Sequence, residues 1–364
     1  MANLPLQQAK KLFHDMLIAV YDEMIPQPSF FKSFFRVETT QAKTVDIMVR
    51  RGSEYIATDV LRGAGSNRNK MSRSTEKEFM PPFYNEDFEG TALDRYDRVF
   101  GDEAAGVPAT IGYLAKDVAR NYMLLRDKIE RAKEKQCAEV LETGIVELKS
   151  HDNIDFKRKA ASKVDKSTTD PWSNTGAKVE NQLIEAGDFM RKTGKNSSKT
   201  LNLVMSSDVF VYLKKTDYFK NNANYQQISL IDMNLPQVNA EGGVFHGRIS
   251  AGPYIFNLWT YDEVYTDSTG TTQYYWPRTH AVVLPTAGAE LVLAHAGVPA
   301  IITDKARAEY PQFIANQAAE YYLNNYIDQK RKSHTFEIYS APLAVPVTVD
   351  MIYTMQVLTD SVVG

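Results

Sequence analysis

An uninterrupted amphipathic run from residue 114 to 143 limits what this chain can fold into more than any other feature. Leu114, Val118, Tyr122, Leu125, Ile129, Ala132, Val140 and Leu141 line one face, and Lys116, Arg120, Arg126, Asp127, Glu130, Arg131, Lys133 and Glu134 occupy the rest. The pattern predicts a single helix ended by Gly144, roughly 40–45 Å long at 1.5 Å per residue. One compact core does not need a helix of that length. It reads as a spine on which separate layers pack, with Val118, Tyr122, Leu125 and Ile129 as the packing residues.

The rest of the 364-residue chain is long enough for two or three domains. Hydrophobic residues make up 43% and charged residues 24%, which excludes wholesale disorder, collagen and a simple coiled coil. With 42 Lys+Arg against 45 Asp+Glu the net charge is -3, too balanced for a protein that coats nucleic acid by neutralising phosphates. The single cysteine, Cys137, supports neither an intrachain disulfide nor a cysteine-based zinc site, so folding inside a cell is expected. No apolar run of membrane-spanning length occurs, and Met1 to Lys11 lack the pattern of a signal peptide, so no membrane partner is expected.

Residues 6–25 carry apolar positions at helical spacing, stopped by Pro26 and Pro28. Phe30, Phe31, Phe34 and Phe35 follow; such rings either fill a core or dock onto a neighbouring chain, and both readings stay open here. A strand is expected at 43–48, with strand-like pieces at 53–60 and 78–84. Between these arms the polar stretch from Arg62 to Lys70 has almost nothing to bury, which predicts a protruding basic hairpin. Its Arg50, Arg51, Arg62, Arg68, Lys70 and Arg73 are candidate contacts to another subunit, and Pro81-Pro82 points to an edge strand in the returning arm. From about 176 onward the pattern alternates: a helix at 177–193, a strand at 200–205, a helix at 207–214 and hairpins over 244–284. Strands are expected again at 335–338 and 345–357.

Motifs of catalysis fail one after another. Gly63-Ala64-Gly65 lacks the third glycine of a dinucleotide fingerprint, since Arg68 stands in its place. Gly194-Lys195 is followed by Asn196 where a phosphate loop needs Ser or Thr. Ser66 lacks the flanking glycines of a nucleophile elbow, and the Asp152–Asp155 stretch lacks the glycine and distal glutamate of a calcium loop. The six histidines show no paired ligand spacing. No catalytic residue, cofactor or metal is expected.

Several short motifs nevertheless occur in a recognisable order: Ser29-Phe30 through Phe34-Phe35-Arg36, Glu78-Phe79 before Pro81-Pro82, Asp170-Pro171-Trp172, His295-Ala296-Gly297, Ala308-Glu309-Tyr310-Pro311, and Ser340-Ala341-Pro342-Leu343. In this the chain resembles the lambda-type major capsid proteins, the phage major capsid protein E family. The resemblance implies an α+β, Hong Kong 97-like capsid fold divided into an N-terminal arm (1–45), an extended E-loop (46–105), a peripheral domain with the spine helix (106–175), an axial domain (176–334) and terminal strands that return to the peripheral domain (335–364). Residues 311–332, rich in Tyr and Asn, read as helical and do not match the family pattern. The implied role is a structural head protein that assembles as homo-hexamers and pentamers into an icosahedral shell around double-stranded DNA of a tailed phage. Implied partners are itself, a scaffolding or decoration protein, a portal, and packaged DNA through weak non-specific contact. Its place would be the virion capsid, built in the host cytoplasm. An encapsulin-like bacterial nanocompartment shell and, further off, a soluble homo-oligomeric enzyme are the alternatives.

Overall fold

A computed structural model describes residues 27, 29–49, 75–91, 107–149, 152–225, 237–238, 241–302, 313–328 and 333–360. Strands β1 (Arg36–Thr39), β2 (Val45–Val49), β3 (Thr75–Phe79) and β4 (Tyr84–Thr91) precede the spine helix α1 (Val107–Glu142). At 36 residues α1 is about 54 Å long, and it begins seven residues before the periodic pattern does. Pro108 lies in its first turn, where a missing N–H loses no helical hydrogen bond. The helix ends as the sequence predicts: Thr143 N–H donates to the Glu139 carbonyl (2.8 Å), Gly144 N–H to that of Val140 (3.0 Å), and Gly144 turns to φ +75°.

Short strands β5 (Ile145–Val146), β6 (Ile154–Asp155) and β7 (Lys163–Asp165) lead to α2 (Val179–Lys192), β8 (Thr200–Met205), α3 (Ser207–Lys215) and α4 (Asp217–Tyr225). Ser206 caps α3 by accepting from Val209 N–H. Then come β9 (Gln237–Val238), β10 (Val244–Ala251), β11 (Tyr254–Thr260), the hairpin β12 (Val264–Thr266) and β13 (Thr272–Tyr274), and β14 (His280–Pro285). The chain closes with β15 (Leu291–His295), β16 (Val298–Ile302), β17 (Phe313–Gln317), β18 (Tyr322–Asp328), β19 (Ser333–Ser340), β20 (Pro342–Pro346) and β21 (Tyr353–Gln356).

Among the described residues three sheets have three or more strands, and β2-β3, β5-β6, β12-β13 and β16-β17 pair as two-stranded ladders. A seven-stranded mixed sheet runs β7-β21-β14-β8-β11-β10-β9 and buries Leu183, Met190, Val209 and Leu213 of α2 and α3, with Trp172 sealing the module. A three-stranded sheet β1-β15-β20 packs with the C-terminal half of α1 and the phenylalanines before β1. An antiparallel sheet β18-β19-β4 lies on the N-terminal half of α1. The seven-stranded sheet draws β7 and β21 from outside residues 176–334, while β15 to β18, inside that span, join other sheets.

Three sequence expectations are corrected. Of the stretch 311–332 read as helical, the described residues 313–328 contribute strands instead: in β18, Tyr322, Asn324 and Tyr326 pair with Tyr339, Glu337 and Thr335, a two-residue period that the Tyr and Asn content masks. The expected strand at 78–84 is two strands, because Pro81-Pro82, both buried, break the run between β3 and β4, and each of these lies at the edge of its sheet. The expected strand at 345–357 is interrupted by a 3-10 turn at Val349–Met351, which sends β20 and β21 into different sheets. The helix expected at 6–25 and the strand at 53–60 lie outside the described residues.

Candidate assembly site on the spine helix

The i, i+4 series Leu125, Ile129, Lys133, Cys137 and Leu141 forms a buried stripe along α1. Val118, Tyr122, Leu125 and Ile129 pack against Phe336 and Ile338 of β19, with Tyr84 and Phe88 of β4 at the margin. Phe88 and Phe336 stack at 4.8 Å, Tyr122 meets both edge-on, and the Tyr122 hydroxyl donates to the Asn324 carbonyl (2.9 Å). A half-buried sheet face and a helical stripe thus cover each other, which is the energetic reason for a long apolar helix face.

One turn further on the same stripe becomes ionic. Lys133 is 0% exposed, Glu134 1% and Glu130 7%, although the sequence pattern assigns all three to the polar face. The Lys133 ammonium donates to Glu320 Oε1 (2.8 Å), to the Tyr321 hydroxyl (2.6 Å) and to Glu130 Oε1 (3.3 Å), and the Tyr321 hydroxyl donates in turn to Glu130. Lys32, from the segment before β1, reaches Glu130 Oε2 at 2.6 Å and lies 3.7 Å from Glu320. Glu134 accepts the backbone N–H of Phe31 (2.8 Å) and of Lys32 (2.9 Å), holding the start of the 3-10 turn at 32–34. The carboxylate stands in for the donors' missing helical acceptors.

Charge and burial compete within this junction. Burial disfavours ionised Glu130, but Lys133 and Lys32 outweigh it and hold the carboxyl at about 2. Burial dominates at Glu134 and pushes it up to about 7 despite its two N–H donors. His295, at the end of β15 and 3.9 Å from Glu320, is driven down to about 4 by burial and then by Lys133, so it is neutral at pH 7. Burial also raises the Cys137 thiol, which leaves it protonated and unreactive.

The C-terminal end of α1 has its own anchor. The Arg158 guanidinium donates to the carbonyls of Leu141 (2.8 Å) and Glu142 (3.0 Å), then to those of Ser162 (3.1 Å) and Ile352 (3.2 Å) and to Thr354 Oγ1 (3.1 Å). A cation on the last carbonyls complements the helix dipole and ties the helix end to β21. Gly144 makes room for it: a Cβ there would stand 2.4 Å from Arg158 Cδ.

Three of the sequence motifs, 29–36, 295–297 and 340–343, meet beside this helix. Thr39 and His295 are register partners, as are His295 and Pro342, and Ala296 N–H donates to the Ala341 carbonyl at 2.9 Å. Ser340 Oγ donates to the Glu320 carbonyl at 2.7 Å, so Ser340-Ala341-Pro342-Leu343 forms one wall of the ionic junction. Asp170-Pro171-Trp172 serves elsewhere, at the start of α2, where the Trp172 indole donates to Gln182 (2.8 Å) and Asp170 accepts from Lys178 N–H (2.9 Å).

For the phenylalanines the structure decides between the two readings. Phe30, Phe31 and Phe35 are 2%, 0% and 5% exposed within their own chain and share one core, where Phe30 and Phe31 meet Tyr261 and Phe31 meets Trp276. Phe34 is half-buried against Phe30. Their assignment as contacts to a neighbour is therefore corrected to a core role for the three buried rings: the chain itself already removes them from water. Arg50, Arg51, Arg62, Arg68, Lys70 and Arg73 lie outside the described residues, as does Ala308-Glu309-Tyr310-Pro311. Sequence reasoning missed Lys32, Glu130, Lys133, Glu134, Arg158 and Glu320. The available signal was a lysine at the i+4 position between Ile129 and Cys137, inside the apolar stripe. Among the described residues no group of three His, Cys, Asp or Glu is placed to hold a metal ion, and no helix is long and apolar enough to cross a membrane.

Comparison with known proteins agrees with this architecture. The chain superposes on a structure assigned as the capsid protein of a prophage of Escherichia coli CFT073 with a TM-score of 0.58 at 17% identity, covering 96% of this chain and 98% of that one. A phage-related protein from Bordetella bronchiseptica RB50 gives 0.52 at 10% identity, covering 94% and 96%. The fold is the Hong Kong 97-like capsid fold. A search of curated proteins gave no match. The model of the family described as phage major capsid protein E matches residues 15–357, and the chain belongs to that family.

Proposed function

We propose that this chain is the repeating wall subunit of a tailed-phage head, assembling as hexamers and pentamers into an icosahedral shell around double-stranded DNA. The observation that carries the reading is a family match that spans 15–357, nearly the whole chain. It favours a phage head over a bacterial nanocompartment. The role is structural and needs no catalysis. A net charge of -3 suits a lining that must not grip phosphates, and it fits DNA held by weak contacts only. Scaffolding or decoration protein and a portal complete the partner set, with assembly in the host cytoplasm. The arm, E-loop, peripheral and axial divisions at 1–45, 46–105, 106–175 and 176–334, with terminal strands at 335–364, belong to the same proposal.

Many modest contacts per subunit let a shell correct errors as it grows. In this reading Arg50, Arg51, Arg62, Arg68, Lys70 and Arg73 meet acidic groups of an adjacent subunit. Electron microscopy of the purified protein should reveal closed shells; a small oligomer with no larger species at any concentration overturns the reading. Trypsin should cut at Arg62, Arg68, Lys70 or Arg73 sooner in free subunits than in shells, and equal rates would remove the E-loop assignment.

A further inference from the structure

The two ends of the seven-stranded sheet carry opposite charge. Its central strands β8 and β11 run parallel, with Thr200 beside Ile255 and Met205 beside Thr260. Leading into β8, the stretch 189–207 holds four cations, Arg191, Lys192, Lys195 and Lys199, and no acid. Following β11, the stretch 261–277 holds three acids, Asp262, Glu263 and Asp267, and no lysine or arginine. Two of these charges serve their own chain: Lys192 pairs with Asp188 (2.8 Å), and Asp262 accepts the Ser207 N–H (2.9 Å) and lies 3.7 Å from Arg278. The six residues of β8 set Lys199 and Glu263 roughly 20 Å apart, further than their side chains reach toward each other.

Both charged ends are held in fixed shapes. After α2 the Thr193 N–H donates to the Phe189 carbonyl (2.8 Å) and the Asn196 N–H to that of Met190 (3.1 Å). Gly194 sits so close to the Asp350 carbonyl that a Cβ would stand 2.6 Å from it, and Lys195 takes φ +59°. At the other end the β12-β13 hairpin stands clear of its own chain: every residue from Ser268 to Tyr274 is exposed, and the register partners Val264 and Tyr274 are 43% and 42% exposed. A lone two-stranded hairpin is marginal in water. This one is braced by Asp267, which accepts from the N–H groups of Thr269 (2.7 Å) and Thr271 (3.1 Å) and from Gln273 Nε2 (3.0 Å). These donors are neutral, so they leave the charge in place, and the bonds from Thr269 and Thr271 hold the carboxyl below its ordinary range. We propose that the hairpin 263–274 of one copy docks on the turn 191–199 of the next, with Glu263 and Asp267 against Arg191, Lys195 and Lys199. Two preformed surfaces lose little freedom on meeting. Opposite ends of one module then join head-to-tail, the kind of contact that closes rings rather than isolated pairs. The proposal rests on the shell-forming reading and names one of the surfaces that reading needs.

Carbodiimide coupling, which joins a carboxylate to an amine in contact without a spacer, tests this on the unaltered full chain. Shells grown from an equal mixture of unlabelled and isotope-labelled copies should yield mixed-isotope links from Glu263 or Asp267 to Lys195 or Lys199. Links from these carboxylates to other lysines only, links within single copies only, or no links overturn the proposal. Charge exchange adds a second readout. Arg191→Glu with Lys199→Glu should cut shell yield by at least about tenfold, as should Glu263→Lys with Asp267→Asn, which keeps an acceptor in the turn. All four changes in one chain should restore the yield, and failure to recover overturns the pairing. Shells that form normally from the Arg191→Glu, Lys199→Glu chain but no longer retain DNA would give the turn to nucleic acid and overturn the contact between copies. Normal shells from both charge variants would sink the docking surface and leave the shell reading standing. A wild-type chain that never oligomerises would sink the shell reading itself.

Discussion

Between Val118 and Ile129 the buried face of α1 is apolar and meets one sheet; from Glu130 to Gln136 it carries four buried polar side chains and meets four separate stretches of chain, around residues 32, 84, 320 and 344. Lys32 arrives from 98 residues upstream of Glu130, and Glu320 from 187 residues downstream of Lys133. Apolar contact is non-directional, so the first half can tolerate small shifts of its sheet. The second half cannot, because a displaced partner leaves a buried charge unanswered. The first half supplies stability and the second specifies which strand ends and which arm residues sit where.

The comparison is broken most severely at its apolar end. Leu125→Asp or Ile129→Asp places an unpaired carboxylate against Phe336 and Ile338, at a cost of about 4 kcal/mol or more, and soluble folded subunit should be lost. Recovery of normal particles from either variant would show that the face is not buried. Next in size, Lys133→Met should destabilise by about 3 kcal/mol in denaturant unfolding, since it removes the buried cation between Glu130 and Glu320 and leaves Lys32 to answer both. Adding Glu130→Gln and Glu320→Gln should recover most of that loss, whereas an apolar junction would show no such coupling.

Gly144→Ala should cost about 1–3 kcal/mol, since φ of +75° and the Arg158 stem both oppose a Cβ. A change within experimental error would mean that the α1 terminus relaxes freely. The pH response of the junction is smaller because two shifts oppose each other. Glu134 is raised from 4.5 to about 7, so its stabilising, protonated form is lost as pH rises through that window. His295 is lowered from 6.5 to about 4, so stability falls as pH drops through its window. Glu134→Gln removes one of the slopes that oppose His295, Glu142 being raised to about 7 by burial as well, so stability between pH 4.5 and 6.5 should rise more, or fall less, with pH than in wild type; parallel profiles would refute the assignment. At the bottom of the scale, Lys192→Ala breaks only an exposed i, i+4 pair with Asp188 and should change stability by no more than about 0.5 kcal/mol.

The spine was legible because a 3.6-residue period sustained over eight turns has few other solutions, and Gly144 marks its end without tertiary help. The same holds for β8 and α3, whose apolar spacing and serine cap are local signals. The ionic junction was not legible, since Glu130 and Lys133 look like solvated helix residues until Lys32, Glu320 and Tyr321 are brought to them from across the chain. Residues 322–328 misled because asparagines at 324 and 325 interrupt the strand alternation that pairing with β19 then imposes. The rings at 30, 31 and 35 were ambiguous in kind, since burial by one's own chain and burial by a neighbour ask for the same side chains.

Residues 342–356 carry a consequence for how the subunit comes into being. β20 completes the β1-β15-β20 sheet, while β21 inserts between β7 and β14 inside the seven-stranded one. Two of the Arg158 hydrogen bonds that hold the end of α1 also wait for Ile352 and Thr354. On a ribosome these strands emerge after everything they join, so the growing chain holds an unfinished interior until residues 342–356 arrive. A polypeptide interrupted before residue 342 would lack both seams at once and would present open strand edges rather than a usable wall unit. The interior of the subunit is therefore closed only once residues 342–356 have been made.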